Sequence, residues 1–515
     1  MLLLFVVLTF GLACSGPAPA LPRPAFQEAA PEKKEEKKDA PAKKDDAAAP
    51  APKSFTSQHT GTFRDNRVAY TATVSETILE NDKHEQEASI WSTAYVKDGI
   101  EDPAERAVTF LWNGGPGSAS LWLHMGAFGP KRVDVPSDAR DDGGPPYGLL
   151  DNAGTFLDVS DIVFIDPVGT GFSHVLEKSE GKDFWGVRQD ARSIARFIRQ
   201  WISKTGRWNS PKFIGGESYG TTRSAAVVHE LEGRFDDVAI NGILLISTIL
   251  DFTLDSNETG NELGYVAMLP TMAATAHYHQ LAGKGVGLEA FVQQAREFAL
   301  NEYAHALLLG ESLQAELRAR VRADLARFTG LSENYLEHSN LRVRPDRFQK
   351  ELLRERGLTV GRLDSRYTGQ DLDDAGESPD EDPSFYGIDG AYATALNAWL
   401  RGPLKVDLAE SYKVIGGLGG PWDWKLDDPF YFNVAPYIGE AMRQNSGLAV
   451  FVASGYYDMA TPFFGAEYSL NRSGVVPARL HFAYYQAGHM MYVNHEALAK
   501  LQTDVHDFIV NTISR

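Results

Sequence analysis

The sequence predicts an α/β protein: a mostly parallel central sheet flanked by helices, with a large helical insertion over the active-site face. Three observations predict it. Short apolar runs alternate with helical stretches between residues 107 and 251, the pattern of strand–helix–strand units. The run Lys212-Phe-Ile-Gly-Gly-Glu-Ser-Tyr-Gly220 reads as a strand, a sharp turn and the start of a helix, with Ser218 at the apex. Strand patterning stops near Asp251 and resumes only at Leu448, so residues 252–430 interrupt the sheet-forming sequence.

The elements follow in order. Residues 2–13 are almost entirely apolar, too short a run to span a bilayer and long enough for the core of a signal peptide. Gly11-Leu12-Ala13-Cys14-Ser15 resembles a bacterial lipoprotein cleavage site, with Cys14 as the lipid attachment point. The expectation is an exported protein, a periplasmic or cell-envelope lipoprotein with a signal segment at 1–14. Residues 15–53 are Pro, Ala, Lys, Glu and Asp with almost no aromatic or β-branched residue; they bury too little apolar surface to offset chain entropy and read as a disordered tether. Strands are expected around Gly61–Ile78 and at Ala88–Val96, Ala107–Trp112 and Ile162–Asp166. An amphipathic helix follows over Asp183–Lys204, with Val187, Ala191, Ile194, Phe197, Ile198 and Trp201 on one face. The elbow strand, a strand at Ile240–Ile246, the mainly helical and polar insertion 252–430, and strands at Leu448–Ala453 and Leu480–Tyr485 complete the chain. The core is thus expected at 54–251 and 431–515.

Composition narrows the partners. The 515-residue chain has net charge −19, and residues 1–53 carry eight Lys/Arg against seven Asp/Glu, so the acidity belongs to the folded part. That argues against nucleic acid and anionic membrane surfaces. Cys14 is the sole cysteine, so no disulfide is available. His277-Tyr-His279 points two histidines apart on a helix with no acidic partner, a poor metal site, and Gly169-Thr-Gly171 lacks the Lys-Ser/Thr of a phosphate loop. No metal and no cofactor are expected.

A serine nucleophile needs a base, and the base needs an orienting carboxylate. Asp458 lies in the loop after the strand beginning at Leu448, and His489 just past the strand Leu480–Tyr485. Ser218, Asp458 and His489 each follow a strand, so a parallel sheet brings them to one edge. Ser, Asp, His is the chain order of α/β-hydrolases. The oxyanion hole is expected from the backbone N–H of Tyr219, next after the nucleophile, and that of Gly115 in the glycine run after Trp112.

Five blocks then resemble one family. Asn113-Gly-Gly-Pro-Gly-Ser-Ala-Ser120, Asp166-Pro-Val-Gly-Thr-Gly-Phe-Ser173, Gly216-Glu-Ser-Tyr-Gly220, Gly455-Tyr-Tyr-Asp458 with Pro462, and Ala487-Gly-His-Met490 are similar to the serine carboxypeptidases, secreted or lysosomal exopeptidases with bacterial relatives. The resemblance covers roughly residues 60–255 and 430–512. It implies a peptide substrate with a free C-terminus, whose carboxylate is held by Asn113, with Gly114 beside it, and by Glu217; Met490 lines the pocket. A glutamate donates to a carboxylate only when protonated, so peptidase activity in the family tends to peak at acidic pH. The chain departs from the family in two places. Ser118 stands where a cysteine is frequent, and Ala127 where a second glutamate usually precedes Leu-Gly-Pro. Ala127 favours a second reading, an esterase or acyltransferase on the same triad. A non-catalytic surface binding lipoprotein is a third, which the complete triad disfavours.

Overall fold

A computed structural model describes residues 51–233, 237–255, 258–426 and 431–514. The expected signal segment, Cys14 and nearly all of the 15–53 tether lie outside the described residues. Fourteen strands are present among those described. β1 (Ser54–Phe63), β2 (Asn66–Glu80) and β3 (Gln86–Lys97) form an antiparallel meander. β4 (Ala107–Trp112), β7 (Ser160–Asp166), β9 (Lys212–Ser218), β10 (Gly242–Thr248), β13 (Ala449–Gly455) and β14 (Leu480–Tyr485) are the parallel part. The others are short: the hairpin β5 (Lys131–Asp134) with β6 (Gly148–Asp151), β8 (His174–Val175) beside β3, and β11 (Thr359–Val360) with β12 (Thr368–Gly369) inside the insertion.

The main sheet runs β1-β2-β3-β7-β4-β9-β10-β13-β14. β3 meets β7 antiparallel, and from β7 to β14 every pairing is parallel. Parallel strands must be covered on both faces, and alternation does this residue by residue. Leu111, Phe213, Leu244 and Phe451 enter one apolar cluster, with the helix His495–Ile513. Phe110, Ile214, Leu245 and Val450 enter the other, with the helices Val187–Thr205, Tyr219–Glu232 and Ala435–Gln444.

The insertion builds a third cluster from the helices Leu263–Tyr278, Leu288–Phe298 and Ala315–Thr329. This cluster closes on Tyr456, Tyr457, Met459 and Phe463, which follow β13. Two details differ from the sequence expectation. The helix expected from Asp183 begins at Val187, because Gly181–Asp183 forms its own short turn and Gly186 is fully extended. The insertion is less polar than its composition suggests, since Leu263–Tyr278 is buried on all sides from Gly264 to Ala276. Among the described residues no helix is long and apolar enough to cross a membrane, and no cluster of His, Cys, Asp and Glu is arranged to hold a metal ion.

Candidate active site

Parallel strands end on the same side, so the C-terminal edge of the sheet collects Asn113 after β4, Glu217 and Ser218 at the end of β9, Asp458 after β13 and His489 after β14. Ser218 has φ +61° and ψ −131°, a conformation costing about 1–3 kcal/mol for a residue with a side chain. The strand-to-helix turn imposes it, with the helix Tyr219–Glu232 starting at the next residue. The turn is possible because Gly216 has no Cβ; one there would sit 2.1 Å from the Gly220 carbonyl oxygen. Tyr219 N–H is first in its helix, where N–H groups have no intrahelical acceptor. Gly114 passes directly over it: a Cβ at Gly114 would lie 2.5 Å from Tyr219 N and 2.6 Å from Gly220 N. Gly115, next in the chain, takes φ +102°.

Asp458 is fully buried. Its Oδ1 accepts the N–H groups of Ala460 and Thr461, both at 2.9 Å. Its Oδ2 accepts Thr461 Oγ1 at 2.6 Å and His489 Nδ1 at 2.8 Å. The carboxylate therefore fixes the imidazole so that Nε2 is the free basic nitrogen. Burial disfavours the imidazolium, but the charge and hydrogen bond of Asp458, with help from Glu217, outweigh it, and the His489 pKa is raised. Among the described residues the Ser218 hydroxyl makes no hydrogen bond to His489, a looseness common in ligand-free serine hydrolase sites.

Asn113 and Glu217 form a buried pair beside Ser218. Asn113 Oδ1 accepts Leu123 N–H at 3.1 Å, which turns Nδ2 toward Glu217 Oε1 at 3.0 Å. Arg223, buried and paired with Asp190 at 2.6 Å, donates to the Asn113 carbonyl. Burial pushes the Glu217 carboxyl up to about 7, against the opposing effects of His489, Tyr492 and Asn113. Met490 is buried in the apolar cluster next to the helix His495–Ile513.

Sequence patterns did not announce several supporting residues. The insertion reaches the triad through its backbone: His489 N–H donates to Leu363 O at 2.6 Å, and Met459 N–H to Arg362 O at 3.1 Å. Gly488 N–H donates to Asp364 Oδ2 at 3.1 Å, and Ser247 Oγ to His489 O at 2.6 Å. Thr461 alone left a signal, since a threonine three residues after an aspartate suits a side-chain-capped turn. Aromatic residues near the end of the insertion pack against the core, with Trp422 and Trp424 edge-on to Tyr219 at 5.3 and 5.7 Å. His277 and His279 bond to the Val286 and Ser365 carbonyls.

Sheet order, elbow geometry and the strand ends that carry Ser, Asp and His make this an α/β-hydrolase fold. Residues 85–307 match the family model of the serine carboxypeptidases. That stretch, which includes the elbow, is similar to the serine carboxypeptidases. A curated relative, serine carboxypeptidase ctsa-3.2 of Caenorhabditis elegans, is 28% identical over 173 residues. That alignment covers 32% of this chain and 31% of the relative, so the chain spans under a third of the relative's length. Among solved structures, Kex1Δp, a prohormone-processing carboxypeptidase from Saccharomyces cerevisiae, aligns over 89% of this chain and 91% of its own. The TM-score is 0.52 at 15% identity, a likeness of fold.

Proposed function

We propose that the protein is a serine-type carboxypeptidase that removes C-terminal residues from peptides. The observation that carries this reading is the buried Glu217–Asn113 pair directly before the nucleophile, with a carboxyl that keeps its proton to about pH 7. A protonated carboxyl and an amide are both donors, suited to a substrate carboxylate. Ser218 Oγ attacks the carbonyl of the last peptide bond while His489 Nε2 takes its proton. The N–H groups of Gly115 and Tyr219 stabilise the oxyanion. Collapse breaks the C–N bond, and His489 returns the proton to the leaving amine. Water, deprotonated by His489, then hydrolyses the acyl-enzyme. Mass-spectrometric sequencing of the C-terminal ladder from an unmodified peptide tests this reading; internal cleavage or no cleavage overturns it. Ala127 supports the second reading, an esterase or acyltransferase, which hydrolysis of esters without any peptide ladder would favour.

The electrostatics predict a pH signature. Below about 7 Glu217 is protonated and donates; above it the ionised form repels the substrate carboxylate. For free-acid peptides kcat/KM is expected to fall as pH rises through about 7. Esters without a carboxylate should show only the acid limb, set by His489, which must be neutral to act as a base. Glu217→Gln, a permanent donor, is expected to remove the alkaline limb for peptides and, because the Glu217 charge helps raise the His489 pKa, to move the acid limb of the ester profile toward lower pH without adding an alkaline one. Paired pH profiles of the two substrates check this.

We also propose export and a membrane tether through lipidated Cys14, supported by the apolar run 2–13 and the residues around Cys14. Cys14→Ser is expected to release soluble enzyme of unchanged specific activity, measured by fractionating cells. Full-length protein in the cytoplasm with residues 2–13 intact would contradict it.

A further inference from the structure

Resting on the carboxypeptidase reading, we propose that Tyr492 is a specificity-determining residue. Its hydroxyl supplies a third hydrogen-bond donor to the substrate's C-terminal carboxylate, beside Asn113 and Glu217 and in place of the carboxyl that Ala127 lacks. Tyr492 lies in the short turn Met491–Val493, two residues beyond Met490. Its ring packs on the helical turn Leu123–Phe128 that contains Ala127. A Cβ on Gly126 would lie 2.5 Å from Tyr492 Cδ2 and Cε2, and 2.6 Å from the hydroxyl of Tyr392. Two tyrosines, one from the loop after His489 and one from the insertion helix Asp389–Arg401, therefore crowd the turn where the resembled family has its second glutamate.

The polar atoms there are unmatched. Tyr492 is 2% exposed and Glu217 3%. The Tyr492 hydroxyl faces Glu217 and Asn113, yet neither Tyr492 Oη nor Glu217 Oε2 has a partner in good hydrogen-bond geometry among the described residues. Buried phenols and carboxyls are rarely left so, and a pair of them converging on one point marks a place for a ligand with acceptor oxygens. A carboxylate offers two such oxygens. Asn113 Nδ2 and protonated Glu217 address one side of the group, and Tyr492 Oη the other.

A phenol differs from the glutamate it replaces in one respect that matters. Burial holds the Tyr492 hydroxyl well above its ordinary pKa, so it donates at every working pH. The titratable and charged groups around the pair are His489, Asp458, Tyr392 and, beyond His489, Arg362. Of the three donors only Glu217 titrates near neutrality, so the Tyr492 contact persists where the Glu217 contact is lost.

Tyr492→Phe keeps the ring and removes the donor. Three substrates separate the roles: a blocked dipeptide with a free C-terminus, its C-terminal amide, and a blocked amino-acid p-nitrophenyl ester. The expected result is a fall in kcat/KM of about 10- to 100-fold for the free acid, the range of one hydrogen bond to a charged group. The fall should lie mainly in KM, with amide and ester rates unchanged and the residual peptide activity more steeply lost above neutral pH. In a Ser218→Ala background, calorimetry should show the free-acid dipeptide binding more weakly by the same factor when Tyr492→Phe is added. Equal loss on all three substrates, or no loss on the free acid, overturns the proposal. If the unmutated enzyme cleaves only the ester, the carboxypeptidase reading fails, and the binding measurement still decides Tyr492: a tighter hold on the acid than on the amide that vanishes in Tyr492→Phe supports it, and equal binding rejects it.

Discussion

Ser218→Ala is expected to lower kcat/KM on every acyl substrate by about 10⁶-fold, since the hydroxyl is the only group that can form the acyl-enzyme. His489→Ala should cost nearly as much, and the double variant no more than either, because nucleophile and base act as one unit. The elbow adds a second readout. Ser218 is held at φ +61°, and alanine there is as strained as serine. Ser218→Gly relieves that strain, so it should be as inactive as the alanine variant but more stable, by about 1 kcal/mol after the entropy cost of glycine. Labelling with a fluorophosphonate, steady-state kinetics and thermal melts check the three variants together. A covalent active-site adduct on Ser218→Ala would refute the assignment.

Asp458→Asn carries the next largest effect, about 10⁴-fold in kcat/KM. The reason lies in which oxygen of Asp458 does what. Oδ1 accepts two backbone N–H groups, from Ala460 and Thr461. An asparagine must put its carbonyl oxygen there, because its NH₂ would face two donors. The NH₂ is thus forced to the Oδ2 side, against His489 Nδ1. The imidazole can only accept from it, which moves the ring proton to Nε2 and removes the base that Ser218 needs. The loss should be equal for peptides and esters and lie in kcat. Pre-steady-state acylation by a p-nitrophenyl ester measures it. A drop below tenfold would mean that Thr461, at 3.2 Å from His489 Nδ1, suffices to orient the ring.

Much of this site was legible because its pieces sit one loop beyond a buried strand. An apolar run such as Leu448–Ala453 announces a strand without any knowledge of its neighbours, and a polar residue just past it must lie at the sheet edge. Strand ends shifted by a few residues, since hydrogen-bond ladders extend beyond the apolar run, as at Gly455 in β13. The insertion was harder. The helix Leu263–Tyr278 is apolar all round and gives no amphipathic period. The contacts of Arg362 to Asp364 with Met459, Gly488 and His489 are made largely by backbone groups over long sequence separations, and such groups leave no mark on side-chain pattern. Tyr492 was hidden for another reason: its role depends on which atom faces Glu217, a property of packing.

The hold of the insertion on the His489 loop has a consequence for how such an enzyme can diversify. A cap that merely roofed a cleft could be remodelled to admit new substrates while turnover stayed constant. Here Leu363 O receives the N–H of His489 itself, and Arg362 O that of Met459, the residue after Asp458. Any change that shifts this stretch of the insertion displaces His489, the base of the proposed mechanism, together with the loop that carries it. Selectivity and speed are mechanically geared to one another. A lineage that reshapes this cap must keep residues 362–364 as a fixed pivot or surrender the rate.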